Sequence, residues 1–286
     1  MELNQFIQVG LPISLARIML SLGLTTRLDL FISQVSKPRA TLTGLLAQLC
    51  LVPLLALGIV ILLDMPPALA TGLMILSFCP GGVTSNWFSH MSRANVPLSI
   101  SLTVIASLIT PFTIPLLSEL ALQWQMEENR AVEIPLGLTM MRLFVISVIP
   151  VVLGVVLRTR FEILSQRLQP VVYRLATGLF MCVIAGIIIQ QWVRLPDLLA
   201  QAGTASMCVI LAGMLAGTLL ARAMQLSKRD QHTITIEVGM QNGGMALVVT
   251  QNVLQSAELS IVPVIYGLIM LLPIYLYSRY ARTQPV

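Results

Sequence analysis

Charge is what this sequence has least of: 10% of its 286 residues are Asp, Glu, Lys or Arg, against about 25% in a soluble globular domain. So few charges cannot cover a water-facing surface, so the chain reads as an integral membrane protein with no room for a separate soluble domain. Cysteine is scarce too. Cys50, Cys79, Cys182 and Cys208 lie in apolar runs without CxxC spacing, which argues against a disulfide framework or a zinc site and makes them small core residues. Histidine is limited to His90 and His232, both at expected cytoplasmic span ends. With no carboxylate to pair with Glu237, the chain lacks the nucleophile and base of an intramembrane enzyme, and none is expected. The amino terminus lacks the basic region and cleavage site of a signal peptide, so its first apolar run reads as a retained span.

What the sequence has is apolar length. Hydrophobic residues make up 56% of it, in runs near the roughly 20 residues that cross a bilayer core. The expected fold is all-α, with about nine spans at residues 6–24, 40–63, 67–91, 97–122, 136–157, 171–191, 198–224, 232–254 and 259–280. Span three is interrupted at Pro80, Gly81 and Gly82, and span eight from Gly239 to Gly244, with Gly243 between. Proline removes a backbone donor and glycine lowers the cost of leaving the helix, so both spans are expected to break within the membrane.

The net charge of +5 would suggest nucleic acid for a soluble protein; here it marks loops and no nucleic-acid partner is expected. Connectors after spans one, three, five and seven, with the carboxyl terminus, hold Arg27, Lys37, Arg39, Arg93, Arg158, Arg160, Arg167, Lys228, Arg229 and Arg282. The opposite connectors hold only Arg130 and Arg194, beside Asp64, Glu127, Glu128, Glu133 and Asp197. The positive-inside rule then puts the amino terminus outside and the carboxyl terminus in the cytoplasm. Interrupted spans three and eight run in opposite directions, the pattern of an inverted-repeat transporter.

Glu237 is the one acidic residue well inside a span, at about 2.5–3.5 kcal/mol on insertion scales. It reads either as a ligand to a hard cation or as a hydrogen-bonded carboxyl locking helices together. Unwinding beside it frees carbonyls for a cation and N–H groups for an anion. Thr84, Ser85 and Asn86 follow the other break, Ser99 and Thr103 share a helix face, and Gln48 is a further amide in a span. Singly, each of these polar residues more often bonds a neighbouring helix.

The segments CPGGVTSNW, NVPLSISLT and TIEVGMQNGG, with Gln48 upstream, resemble those of the bile acid:sodium symporter family, which includes bacterial homologues of the ileal and hepatic bile acid transporters. The resemblance implies a single transmembrane unit over residues 1–286, with a core domain from 40–122 and 198–280 and a panel domain from 6–24 and 136–191. The core would hold two crossed, discontinuous helices. Bacterial members commonly have ten spans, so this chain is expected to lack the first. The resemblance also implies two sodium ions as co-transported ligands. One would sit at Ser85, Asn86, Ser99, Thr103 and Glu237, the other at Gln48, Glu237, Gln241 and the carbonyls of Val238 and Met240.

The implied activity is sodium-coupled symport of an organic anion by alternating access, in a bacterial inner membrane and without an obligatory protein partner. The anion would be bile-acid-like, pantoate or a small 2-oxo or hydroxy acid, bound near Thr84, Asn242 and Gly243. Arg17 is a candidate anion partner, with helix pairing and snorkelling as its alternatives; Arg142 snorkels by default. Met19, Met140, Met141 and Met181 form either an adaptable apolar wall or ordinary core packing. The alternative activity is a proton-coupled or uncoupled carrier of the same fold, such as an arsenite- or auxin-type exporter, with Cys79 as a soft ligand.

Overall fold

The computed structural model describes residues 3–36, 38–125, 135–190, 192 and 195–284. Lys37, Glu127, Glu128, Arg130, Glu133 and Arg194, on which part of the charge pattern rests, lie outside them. Among the described residues the regular structure is helical: α1 (Leu3–Thr25), α2 (Leu28–Val35), α3 (Pro38–Leu62), α4 (Pro67–Ser77), α5 (Ser85–Met91) and α6 (Val96–Gln125) in the first half. There follow α7 (Leu136–Arg160), α8 (Glu162–Gln190), α9 (Leu195–Ala223), α10 (Lys228–Gly239), α11 (residues 243–253) and α12 (Ile261–Thr283). Seven of these, α1, α3, α6, α7, α8, α9 and α12, are long and apolar enough to cross a membrane. The chain is a multi-pass membrane protein.

Two groups of helices form around different contacts. α1 lies chiefly against α7 and α8, where Gly23 and Gly154 face each other so closely that a Cβ on either would meet backbone of the opposite helix. Such small-residue contacts let helices approach where lipid supplies no hydrophobic drive. In the other group α9 packs on α10, α12 and α3, and α4 on α6. Burial separates centre from perimeter: 56% of the apolar window of α1 and α6 is buried, against 28% in α3, α7 and α8.

Three local features depart from the sequence expectation. Residues 28–35 form a helix rather than a plain connector; α2 has no fully buried residue, and only Phe31 packs against the core. The second break is narrower than residues 239–244, because α10 continues through Gly239 and α11 restarts at Gly243, leaving only 240–242 unwound. Glycine here is not chosen for backbone freedom, since no described glycine has positive φ. Of the cysteines, only Cys79 is a core residue; Cys50, Cys182 and Cys208 are exposed on outer faces. An apolar residue in a membrane protein can face lipid at no penalty, so apolarity alone does not place it inside.

Candidate functional site

The two interruptions meet. Between α4 and α5 the chain unwinds at residues 78–84, and between α10 and α11 at 240–242, and the two stretches pair as a short antiparallel bridge at Gly81 and Gln241. The Gly82 N–H donates to the Met240 carbonyl at 3.1 Å, and the Asn242 N–H to the Pro80 carbonyl at 2.9 Å. Backbone groups that leave both helices thus satisfy one another, which buried amides require. α11 gains its cap in the same place, where Asn242 Oδ1 accepts from the Met245 N–H at 3.0 Å.

Glu237 lies on the last turns of α10 beside this bridge and is 1% exposed. Three hydroxyls from two other helices hold its carboxylate. Ser85 and Ser99 donate to Oε2 at 2.6 and 2.8 Å, and Thr103 donates to Oε1 at 2.5 Å. Gly81 completes the enclosure, because a Cβ there would collide with the carboxylate. On the other side Gln48, in a π-helical turn of α3, donates to the Cys79 carbonyl at 3.1 Å and to Gln241 Oε1 at 2.7 Å. Gln241 in turn donates to the Val238 carbonyl at 3.0 Å. The Val238 and Met240 carbonyls each have one donor already and keep a second lone pair.

Unmet hydrogen-bonding demand remains in this cluster. Gln48 Oε1 and Asn86 Oδ1 are buried acceptors with no hydrogen-bond partner among the described residues. No cationic side chain among those residues pairs with Glu237. Two orphan oxygens, one carboxylate and several hydroxyls make an oxygen-only donor set, suited to a hard cation. Among the described residues no group of three or more His, Cys, Asp or Glu side chains could hold a transition metal.

A cavity of about 490 Å³ opens beside the cluster, lined on one side by Val83, Thr84, Asn86 and Trp87 and across from them by Thr25, Gln169 and Tyr173. Neither Trp87 nor Tyr173 was singled out by the sequence. Gln169 and Tyr173 are one turn apart on α8, a signal hidden because α8 starts at Glu162 rather than near residue 171. Pro170 lies inside that helix without ending it. Of the expected anion contacts only Thr84 lines this cavity; Asn242 is buried and its Nδ2 has no hydrogen-bond partner among the described residues, and Gly243 is half-buried.

Arg17 is exposed on α1 and is absent from the cavity lining, as is Arg142 on α7. The methionines make no common wall either. Met19 is fully buried in the core, while Met141 and Met181 face outward at 59% and 49% exposure. Past the bridge, Phe180 of α8 lies against Gly244 at the start of α11, and at its far end Asn252 donates to the Gln8 carbonyl of α1 at 2.6 Å. The two helix groups therefore touch on that side and part on the cavity side.

An oxygen-rich cluster around a buried carboxylate, beside a pocket between two helix groups, is an arrangement compatible with an ion-coupled carrier, and the comparisons with known proteins agree with that class. Residues 12–195, more than half of the chain, match the model of the Sodium Bile acid symporter family. The chain belongs to that family. It is 30% identical over 242 residues to the "Probable sodium/metabolite cotransporter BASS1, chloroplastic" of Arabidopsis thaliana, covering 84% of this chain and 57% of that protein. It is 28% identical over 249 residues to the "Uncharacterized sodium-dependent transporter YocS" of Bacillus subtilis (strain 168), covering 85% and 74%. Similarity to the "Sodium-dependent organic anion transporter" of Bos taurus is 27% over 238 residues, covering 82% and 61%. The chain thus spans 57–74% of the length of these three relatives.

Proposed function

We propose that this chain is a sodium-coupled secondary transporter that carries an organic anion by alternating access. The observation that carries the reading is the buried Glu237 carboxylate, held by Ser85, Ser99 and Thr103 beside the orphan oxygens of Gln48 and Asn86. One sodium ion sits among Ser85, Asn86, Ser99, Thr103 and Glu237. A second sits among Gln48, Gln241, Glu237 and the second lone pairs of the Val238 and Met240 carbonyls. Glu237 serves both ions, so each favours binding of the other by offsetting desolvation of the shared carboxylate.

The organic anion enters the cavity between α1 and α8 on one side and α5 and α6 on the other. The cavity volume lies within the roughly 300–1,000 Å³ of small-molecule sites, and its wall is mostly apolar surface, with polar groups from Thr25, Thr84, Asn86, Gln169 and Tyr173. Both features favour an anion with a sizeable apolar body over a small 2-oxo acid. The anion's charged end is received at Thr84, the expected contact that lines the cavity, beside the paired breaks in which Asn242 lies. Counting each interrupted helix pair as one crossing makes nine crossings, with the amino terminus outside the bacterial inner membrane and the cavity facing the cytoplasm. Residues 6–24 and 136–191 form the panel against which the core, residues 40–122 and 198–280, rocks. The core is built as an inverted repeat whose two interrupted helices cross. Cys79, the soft ligand an arsenite carrier would need, donates its S–H to the Ile75 carbonyl at 3.3 Å and is absent from the cavity lining.

Uptake of radiolabelled cholate into proteoliposomes tests the reading. An inward sodium gradient is expected to drive accumulation, and equal uptake under a matched potassium gradient would sink it.

A further inference from the structure

Away from the crossover, at the ends of helices where Arg27 and Arg158 place the cytoplasmic surface, two ion pairs stand together. Arg27 Nη2 lies 2.8 Å from Asp29 Oδ2, and Arg158 Nη2 lies 3.3 Å from Glu162 Oε1. The Arg158 guanidinium is the more enclosed, and it also donates to the Glu162 carbonyl at 3.4 Å. All four side chains line one polar recess of about 250 Å³. It shares Leu28 with a second recess of about 190 Å³, which has a wholly apolar wall that includes Phe31, Val104, Leu108, Val152 and Val155.

The depth of this second recess fits one leaflet. Val151 precedes Arg158 by seven residues of α7, about 10 Å of helix. Val104 and Leu108 lie eight and twelve residues into α6 from Val96, at about 12 and 18 Å. Half of a hydrocarbon core of about 30 Å is about 15 Å, which falls inside this range of depths. A charged recess sits at the surface and a hydrocarbon groove runs beneath it, open to the bilayer through the exposed faces of Leu28, Val152 and Val156.

We infer that these joined recesses form a binding site for a glycerophospholipid with an ethanolamine headgroup. One acyl chain lies in the valine-lined groove, the phosphate takes hydrogen bonds from Arg27 and Arg158, and the ammonium donates to Asp29 and Glu162. Both charge signs are needed for this. A phosphatidylglycerol headgroup brings no cation to the two carboxylates, and a choline headgroup has no N–H with which to satisfy them. The groove has α2 and α6 on one wall and α7 on the other, so the chain wedges between the two helix groups and favours the arrangement seen here. The inference does not depend on which anion is carried.

Native mass spectrometry of the delipidated full chain in detergent, titrated with phosphatidylethanolamine, phosphatidylcholine or phosphatidylglycerol of one acyl composition, tests it. A single phosphatidylethanolamine adduct is expected at about tenfold lower concentration than the others, a difference of one decade in Kd. Arg158→Ala is expected to remove that preference, and Val152→Trp, at a position exposed to lipid, to reduce adduct formation by blocking the groove from outside. A monodisperse size-exclusion profile and an unchanged lipid-free melting temperature establish that each variant is folded. Equal retention of the three lipids by the unmodified chain would overturn the inference. So would retention of the ethanolamine preference in both folded variants.

Discussion

Ser85 donates a 2.6 Å hydrogen bond to the Glu237 carboxylate across 152 residues of chain. The bond ties the first residue of α5 to the last turns of α10, so the two interrupted helices are joined by a side chain as well as by the backbone bridge at Gly81 and Gln241. Any ion that settles on Glu237 therefore acts on both breaks at once.

Glu237→Gln is expected to keep the shape of the cluster and lose its charge. In the unmodified protein, sodium at a hundred times its Kd stabilises the folded state by about 2.7 kcal/mol. That raises the melting temperature by about 5–10 °C over the same concentration of potassium, at the usual 2–4 °C per kcal/mol. The variant should melt at the same temperature in both salts. A sodium-specific shift that survives would remove Glu237 from the ion site.

Removing one hydroxyl should weaken ion binding without abolishing it. Ser99→Ala and Thr103→Val each delete a hydrogen bond to an ionised group, worth about 1.5–3 kcal/mol. Sodium half-saturation for uptake is expected to rise about tenfold or more in each variant, the change that 1.4 kcal/mol produces. An unchanged sodium dependence in either would separate that hydroxyl from the ion.

Gly81→Ala probes space rather than charge. The added Cβ collides with the Glu237 carboxylate, so the carboxylate must shift relative to its three donors. Overpacking of this kind destabilises by about 1–3 kcal/mol. Gly58→Ala, where a Cβ meets nothing within 4 Å, is the matched control. Sodium-driven uptake should fall sharply in the first and stay near that of the unmodified protein in the second.

Trp87→Ala and Tyr173→Ala enlarge the cavity from opposite sides. Loss of an aromatic contact of this size should raise the KM for cholate by about tenfold. Sodium half-saturation should stay constant, because the donors to Glu237 are Ser85, Ser99 and Thr103 and both aromatic residues line the cavity instead. Equal losses for cholate and pyruvate would place the substrate elsewhere.

Composition and local order by themselves determined that this is a helical membrane protein, that two of its spans are broken, and that Glu237 is its expensive residue. These are local properties: hydropathy, a proline followed by two glycines, and a carboxylate where lipid would favour leucine. They also marked Ser85, Ser99, Thr103, Gln48 and Gln241, each of which the fold brings to the paired breaks. Which way a helix faces was not legible. Lipid is as apolar as leucine, so hydropathy does not distinguish an outer face from an inner one; Arg17 turned outward, three cysteines left the core, and α2 went unseen. Only the tertiary structure could show that Gly81 is needed for the space its missing side chain leaves to Glu237, and that Trp87 and Tyr173 share a cavity. Those relationships join residues 86 and 156 positions apart, and contacts at such range exist only once the helices have packed.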